Sequence, residues 1–143
     1  MNERYPYDPR SLHLIYTVLL LMQLMLTLVV IYVAGDSVGI SFDFNRLLSP
    51  ITVPIMSLLL ALMGRSIWRN GMDKISKTEE INDKLELLTK IHIYQWAMVQ
   101  FGTILLLTFT LVEANFYYFI FSLVNIIYFF TLRPKIFSLT GGV

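Results

Sequence analysis

The chain has no cysteine among its 143 residues, which excludes disulfides, thiolate metal sites and a cysteine nucleophile. That absence leaves the compartment open. Charge is missing where it would matter most, because four long apolar runs carry no Asp, Glu, Lys or Arg at mid-bilayer depth. The usual marks of an ion path or an acid–base site are therefore absent. Excess base is lacking too: 11 Lys and Arg stand against 10 Asp and Glu, so there is no cation surplus to neutralise many phosphates, and no nucleic-acid partner is expected. The chain contains no glycine-rich phosphate loop, no HExxH and no pair of carboxylates within one run, and no cofactor is expected.

What is present is apolar: 56% of residues are hydrophobic, above the roughly half of ordinary soluble domains. Four runs read as membrane spans, giving the expectation of an all-α integral membrane four-helix bundle made of two transmembrane hairpins. An N-terminal segment (1–10) precedes span one (11–34), whose length suits a hydrocarbon core of about 30 Å and exceeds the ~7–15 apolar residues of a cleaved signal. An outer loop (35–49) leads to span two (50–70), with Ser49 as N-cap, Pro50 at the first helical position, Pro54 bending the outer end and Gly71 as the stop. A cytoplasmic amphipathic helix (71–90) precedes span three (91–112). A tight outer turn (113–115) joins it to span four (116–132), which Arg133 and Pro134 close before the C-terminal tail (133–143).

Orientation follows from where the bases fall. Ten lie on one side, namely Arg4 and Arg10, then Arg65, Arg69, Lys74, Lys77, Lys84 and Lys90, then Arg133 and Lys135, and Arg46 lies alone on the other. Cytoplasmic loops collect Lys and Arg, so both termini are expected in the cytoplasm of an inner-membrane protein. Tyr16, Trp68, Tyr94, Trp96 and Tyr128 mark the inner boundary, and Tyr32 with Phe116, Tyr117 and Tyr118 the outer one. Arg65 reads as an interfacial anchor whose stem carries the guanidinium out to the headgroups.

Two segments between the spans carry patterns of their own. In the outer loop Val38, Ile40, Phe42 and Phe44 alternate with smaller or polar residues, so an extended strand would show one apolar face, resting on the bilayer or docking a partner. In the middle segment Ser76 with Glu79 forms a capping box, and no Gly or Pro separates it from span three, so one helix from about Ser76 to Val112 is expected. Its apolar stripe at Ile81, Leu85, Leu88 and Ile91 needs a cover: a second copy of the chain, another protein, the chain's own termini, or the lipid bilayer, for which the mixed charge lacks the cationic bias that anionic headgroups favour. Asp73–Lys77, Glu80–Lys84 and Glu86–Lys90 are acid-first pairs four apart that support exposed helix.

Polar residues inside the spans define the candidate interior. At about 100° per residue, His13, Tyr16, Thr17, Gln23 and Thr27 share one arc of span one, and His92, Gln95, Gln100, Thr103 and Thr110 share one of span three. Span four groups Tyr118, Ser122, Asn125 and Tyr128, and span two offers the small residues Ser57, Ala61 and Gly64. The expected intramembrane cluster is Gln23, Gln95, Gln100, Thr103 and Asn125, with Gln23, Gln100 and Asn125 hydrogen-bonding between helices or lining a groove for a small solute. His13 and His92 fall at inner ends without carboxylate or thiol support, a poor metal set, and Glu113 is read as a solvated residue of the outer turn. Gln23 and Gln100 each follow an inner His and Tyr, a thin trace of a duplicated hairpin.

The stretches IYTVLLLMQLML in span one, LLTKIHIYQWAMVQFG entering span three and FFTLRPKI after span four resemble those of small, uncharacterised four-pass inner-membrane proteins of Bacteroidetes-type bacteria. The resemblance covers most of the chain and implies a fold and a compartment, with no activity attached. That family often has an acid where this chain has Gln100, and a base earlier in the helix where this chain has polar or aromatic residues, and these departures argue against charge-driven transport. The functional expectation is a non-enzymatic structural or accessory subunit that binds a partner through its cytoplasmic helix, with partner-facing residues Ile81, Leu85 and Leu88. The alternative is a small-solute transporter or channel acting as an oligomer.

Overall fold

A computed structural model describes residues 9–35, 39–40 and 48–134. The protein is all-α, with helices α1 (Pro9–Ala34), α2 (Ser49–Lys77), α3 (Ile81–Val112) and α4 (Phe116–Thr131). Three of them, α1, α2 and α3, are long and apolar enough to cross a membrane. Helix α1 leaves Leu14, Val18, Leu21, Met25, Leu28 and Tyr32 exposed, a continuous apolar face far larger than the patches of soluble monomers. This is the surface of a membrane protein.

Helix α3 is the centre. It packs on α2, α4 and α1, whereas α1 and α2 do not pack on each other. Half of its apolar window is buried, against 22% for α1 and 17% for α2. Lipid tails are as apolar as leucine, so helices associate here by close packing and hydrogen bonds more than by the hydrophobic effect. On α2 the buried residues Val53, Ser57, Gly64, Gly71 and Ile75 recur at spacings of four, seven, seven and four, a repeat that keeps one seam of small side chains against a neighbour. A Cβ on Gly64 would lie 3.3 Å from the Gln95 carbonyl oxygen, and one on Gly71 only 2.3 Å from Ile91 Cγ2. The seam therefore depends on missing side chains.

That packing corrects the expected boundaries between α2 and α3. Gly71 does not stop the second helix: it is a point of close approach, and α2 runs on to Lys77. Ser76 is no N-cap, because it lies inside α2 and its hydroxyl donates to the Asp73 carbonyl at 2.7 Å. The break falls at Thr78–Glu80, where Thr78 (φ −86°, ψ 136°) and Glu80 (φ −72°, ψ 130°) are extended, and α3 begins at Ile81. The segment 71–90 is thus the meeting of two helix ends, not a single helix. At about 1.5 Å per residue α2 and α3 reach some 44 and 48 Å, well past a ~30 Å hydrocarbon core, and they pack on each other in the overhang through Ile75, Leu88 and Ile91.

On the overhang, Asp73–Lys77 closes at 2.8 Å and Glu86–Lys90 at 2.6 Å. The Lys90 ammonium donates to the Glu86 carboxylate and holds it below the usual carboxylate range, while Glu86 raises Lys90 in return. Glu80 and Lys84 form no ion pair among the described residues, since Glu80 has left the helix.

Helix α4 has 16 residues, about 24 Å, short for a hydrocarbon core. Its last carbonyls run short of backbone donors, Phe129 keeping only the Leu132 N–H at 3.0 Å, and in an apolar setting they need others. Two aromatic side chains supply them: the Tyr16 hydroxyl donates to the Phe129 carbonyl at 3.0 Å, and Trp96 Nε1 donates to the Leu132 carbonyl at 2.9 Å. Tyr16 also stacks on Phe129 and tilts against Trp96, which moors α1 and α3 to the end of α4. The same device appears on α2. Pro54 lacks the N–H that would reach the Pro50 carbonyl, and the Tyr117 hydroxyl of α4 donates to that carbonyl at 3.0 Å.

The turn before α4 is a Schellman motif, with Asn115 N–H to the Thr110 carbonyl at 3.1 Å and Ala114 N–H to the Leu111 carbonyl at 3.3 Å. Ala114 takes the left-handed position (φ 47°) usually filled by glycine. Asn115 caps α4 through Oδ1, which accepts from Tyr117 N–H at 3.0 Å. The Phe116 N–H reaches the Gly39 carbonyl at 3.1 Å. Most of the alternating stretch 38–44 lies outside the described residues.

Candidate functional site

Most of the polar residues expected inside the protein are inside it, but not as one cluster. Gln23, Gln95, Gln100, Thr103 and Asn125 are all buried. Asn125 Nδ2 donates to Ser57 Oγ at 2.7 Å, across the place where α3 has Gly102. A Cβ there would sit 2.9 Å from Ser57 Oγ and 3.2 Å from Asn125 Nδ2, so glycine leaves room for a clasp between α2 and α4. Asn125 therefore pairs with a serine rather than with the two glutamines. Thr103 is satisfied within its own helix, donating to the Val99 carbonyl at 3.1 Å, as are Thr27 to Gln23 and Thr110 to Leu106.

Gln23 and Gln100 are different. Their side-chain amides are buried, at 0% and 6% exposure, and none of their four polar atoms has a hydrogen-bond partner among the described residues. The register carried by Tyr16 beside Trp96 and by Val30 near Leu107 puts Gln23 at the depth of Gln100 and Thr103 on parallel helices. His13 and Thr17 depart from the expected arc, since both are exposed on the far side of α1.

At the end rich in bases the three packed helices α2, α3 and α4 leave a cleft of about 220 Å³. Arg65 and Trp68 reach it from α2, His92 and Gln95 from α3, Tyr128 from α4, and Arg133 from just beyond α4. His92 is 1% exposed, with Nδ1 2.9 Å from the Leu88 carbonyl and its ring edge-on to Trp68, so it is a fixed wall of the cleft and far from His13 in environment. Gln95 is 5% exposed, and its amide has no hydrogen-bond partner among the described residues. No carboxylate lines the cleft among the described residues. Arg65 reads in the sequence as an interfacial anchor; that it lines one cleft with Arg133 and Gln95 joins residues up to 68 positions apart and has no local signal.

At the opposite end Glu113 is half-buried and accepts a hydrogen bond from the Tyr118 hydroxyl, so it is not the freely solvated turn residue expected. On the overhang the expected outward stripe is split. Leu88 is 1% exposed and packs on Ile75 of α2, because α2 extends far enough to cover it; Leu85 is half-buried, and Ile81 stays 62% exposed. The chain covers much of the stripe itself.

No protein-family model, curated protein or solved structure matches this chain.

Proposed function

We propose that the chain is a four-pass inner-membrane protein with both termini in the cytoplasm, packed as a four-helix bundle. It acts as a non-enzymatic accessory subunit that meets a membrane-protein partner, or a second copy of itself, through the overhanging ends of α2 and α3. The observation that carries this reading is the overhang: two helices continue past the apolar stretch as one packed unit, held by the Gly71–Ile91 and Ile75–Leu88 contacts, with Ile81 exposed at its tip. A rigid, water-facing helix pair with a single apolar spot is suited to recognition, and no group on it is arranged for chemistry. The partition of ten bases against Arg46 supports the orientation.

The test is gentle extraction of the native complex followed by mass measurement, with wild type beside Ile81→Glu. Companions that are recovered with the wild type and lost with Ile81→Glu support the accessory role. Unchanged recovery removes it.

Solute passage is the second reading, and the unpaired amides of Gln23 and Gln100 favour it, since a polar path needs such groups at depth. Gln100→Leu should stop flux in a transporter and leave complex recovery intact in an accessory protein.

A further inference from the structure

We propose that the cleft between Arg65 and Arg133 seats a phosphate group, carried either by an anionic lipid headgroup or by a free phosphate. Arg65 of α2 and Arg133 from just beyond α4 both line it, and no carboxylate does among the described residues. Neither Arg65 nor Arg133 forms an ion pair among the described residues, and Arg133 lies beside the Tyr16 hydroxyl, an uncharged neighbour. Paired guanidinium forks match the oxygens of a phosphate, which a lone anchoring arginine would not require.

The walls add donors. Gln95, 5% exposed, also lines the cleft, and its amide is an uncharged donor for an entering oxyanion. Tyr128 and Thr131 line the same cleft, and the Thr131 hydroxyl donates to the Tyr128 carbonyl at 2.6 Å. At about 220 Å³ the cleft is smaller than the ~300–1,000 Å³ of sites for drug-sized ligands, which fits a headgroup or a small anion better than a larger molecule. Its place beside Trp68 and Tyr128, at the interfacial end of the apolar helices, is the depth at which lipid phosphates lie, and basic pockets between transmembrane helices are known seats for them.

Both tryptophans of the chain report on this place, because Trp68 lines the cleft and Trp96 packs on His92 behind it. The full chain is reconstituted in phosphatidylcholine nanodiscs holding a minor share of phosphatidylglycerol, and native mass spectrometry counts the phosphatidylglycerol retained. A second arm titrates inorganic phosphate into delipidated protein in neutral detergent and follows tryptophan fluorescence. The variants are the double substitution Arg65→Gln with Arg133→Gln, the charge-keeping pair Arg65→Lys with Arg133→Lys, and Arg69→Gln, an exposed base on α2 that does not line the cleft.

A lipid seat predicts one retained phosphatidylglycerol, lost about tenfold in the double Gln variant, lost less in the Lys pair and kept in Arg69→Gln. A seat for free phosphate predicts a saturable fluorescence change that the double Gln variant abolishes and Arg69→Gln keeps. The proposal is overturned if phosphatidylglycerol falls equally in Arg69→Gln and phosphate evokes no saturable response, since general attraction to basic surface then explains everything. Should the double Gln variant fail to fold, the Lys pair decides alone: retention and fluorescence equal to wild type refute a seat built on paired guanidiniums.

Discussion

The α2–α3 contact and the attachment of α4 to the other helices are made by opposite means. Against α2 the contact is made from missing side chains: Gly64 and Gly71 let backbone and Ile91 come close, and Ser57 and Gly102 continue the thin seam. Helix α4 is held by donated hydrogen bonds, with Trp96 and Tyr16 on its last carbonyls, its own Tyr117 on the carbonyl freed by Pro54, and Asn125 on Ser57. Long helices have no free backbone groups along their middle, so they adhere by proximity, whereas a short helix and a proline expose carbonyls that need partners. Length and proline placement decide which kind of adhesion is used.

The comparison breaks most sharply at Gly71. In Gly71→Val the added Cβ enters the space of Ile91 Cγ2, and overpacking of this kind costs about 1–3 kcal/mol. Denaturant titration should show the loss. Ile91→Ala in the same chain should return part of it, because it removes the methyl that the new side chain strikes. Leu28→Phe on the exposed face of α1 serves as the control and should stay within about 0.5 kcal/mol of wild type. Equal costs at Gly71 and Leu28 would mean that the seam is not a packing contact.

The hydrogen-bonded side sharpens through a cycle at Pro54. Tyr117→Phe leaves the Pro50 carbonyl without a donor and should cost about 1–2 kcal/mol. In the background of Pro54→Ala the restored N–H reaches that carbonyl, so the same Tyr117→Phe change should then cost much less. Trp96→Phe, which has no such rescue at the Leu132 carbonyl, should cost about as much in both backgrounds. Equal costs for Tyr117→Phe with and without Pro54 would refute the account of the freed carbonyl.

These cases also show what a sequence can and cannot disclose. The presence of the helices and most of their inward faces were readable because hydrophobicity and a 3.6-residue period are local properties: Tyr16, Gln23, Thr27, Gln100, Thr103 and Asn125 all turn inward. Gly71 was ambiguous, since glycine serves both as a helix stop and as a close contact, and only the distant Ile91 distinguishes them. The Ser76–Glu79 box was a sound local signal that lost to the packing of Ile75 on Leu88, which keeps α2 helical through Lys77. Tyr16, Trp96 and Tyr117 read as interfacial aromatics by depth. Their bonds to carbonyls 113, 36 and 67 residues away had no mark in the sequence.

A smaller gain is expected where the turn between α3 and α4 carries strain. Ala114 holds a left-handed backbone that costs an alanine roughly 1–2 kcal/mol and a glycine little, while glycine loses more freedom on folding. Ala114→Gly should therefore stabilise the protein by up to about 1 kcal/mol, read as a raised denaturation midpoint with an unchanged slope. A lowered midpoint would mean that the turn does not need its left-handed residue.

The smallest effect belongs to the overhang, where Glu86 and Lys90 pair in full contact with water. Glu86 is held below its usual value by the Lys90 ammonium, so its contribution is present above the unfolded carboxylate value of about 4.3 and fades as pH falls through the lower folded one. Lys90 is raised by Glu86, so its share is complete below about 10.4 and fades as pH climbs past its raised folded value. Stability should accordingly be flat from pH 6 to 9 on this account, with Glu86→Gln removing a slight acid-side slope that added salt also removes, because exposed pairs are screened. Thermal unfolding of wild type and Glu86→Gln from pH 3 to 6, at low and high salt, reads it. An acid slope that survives both the substitution and the salt would assign it to carboxylates other than Glu86 and take the pH response away from this water-facing pair.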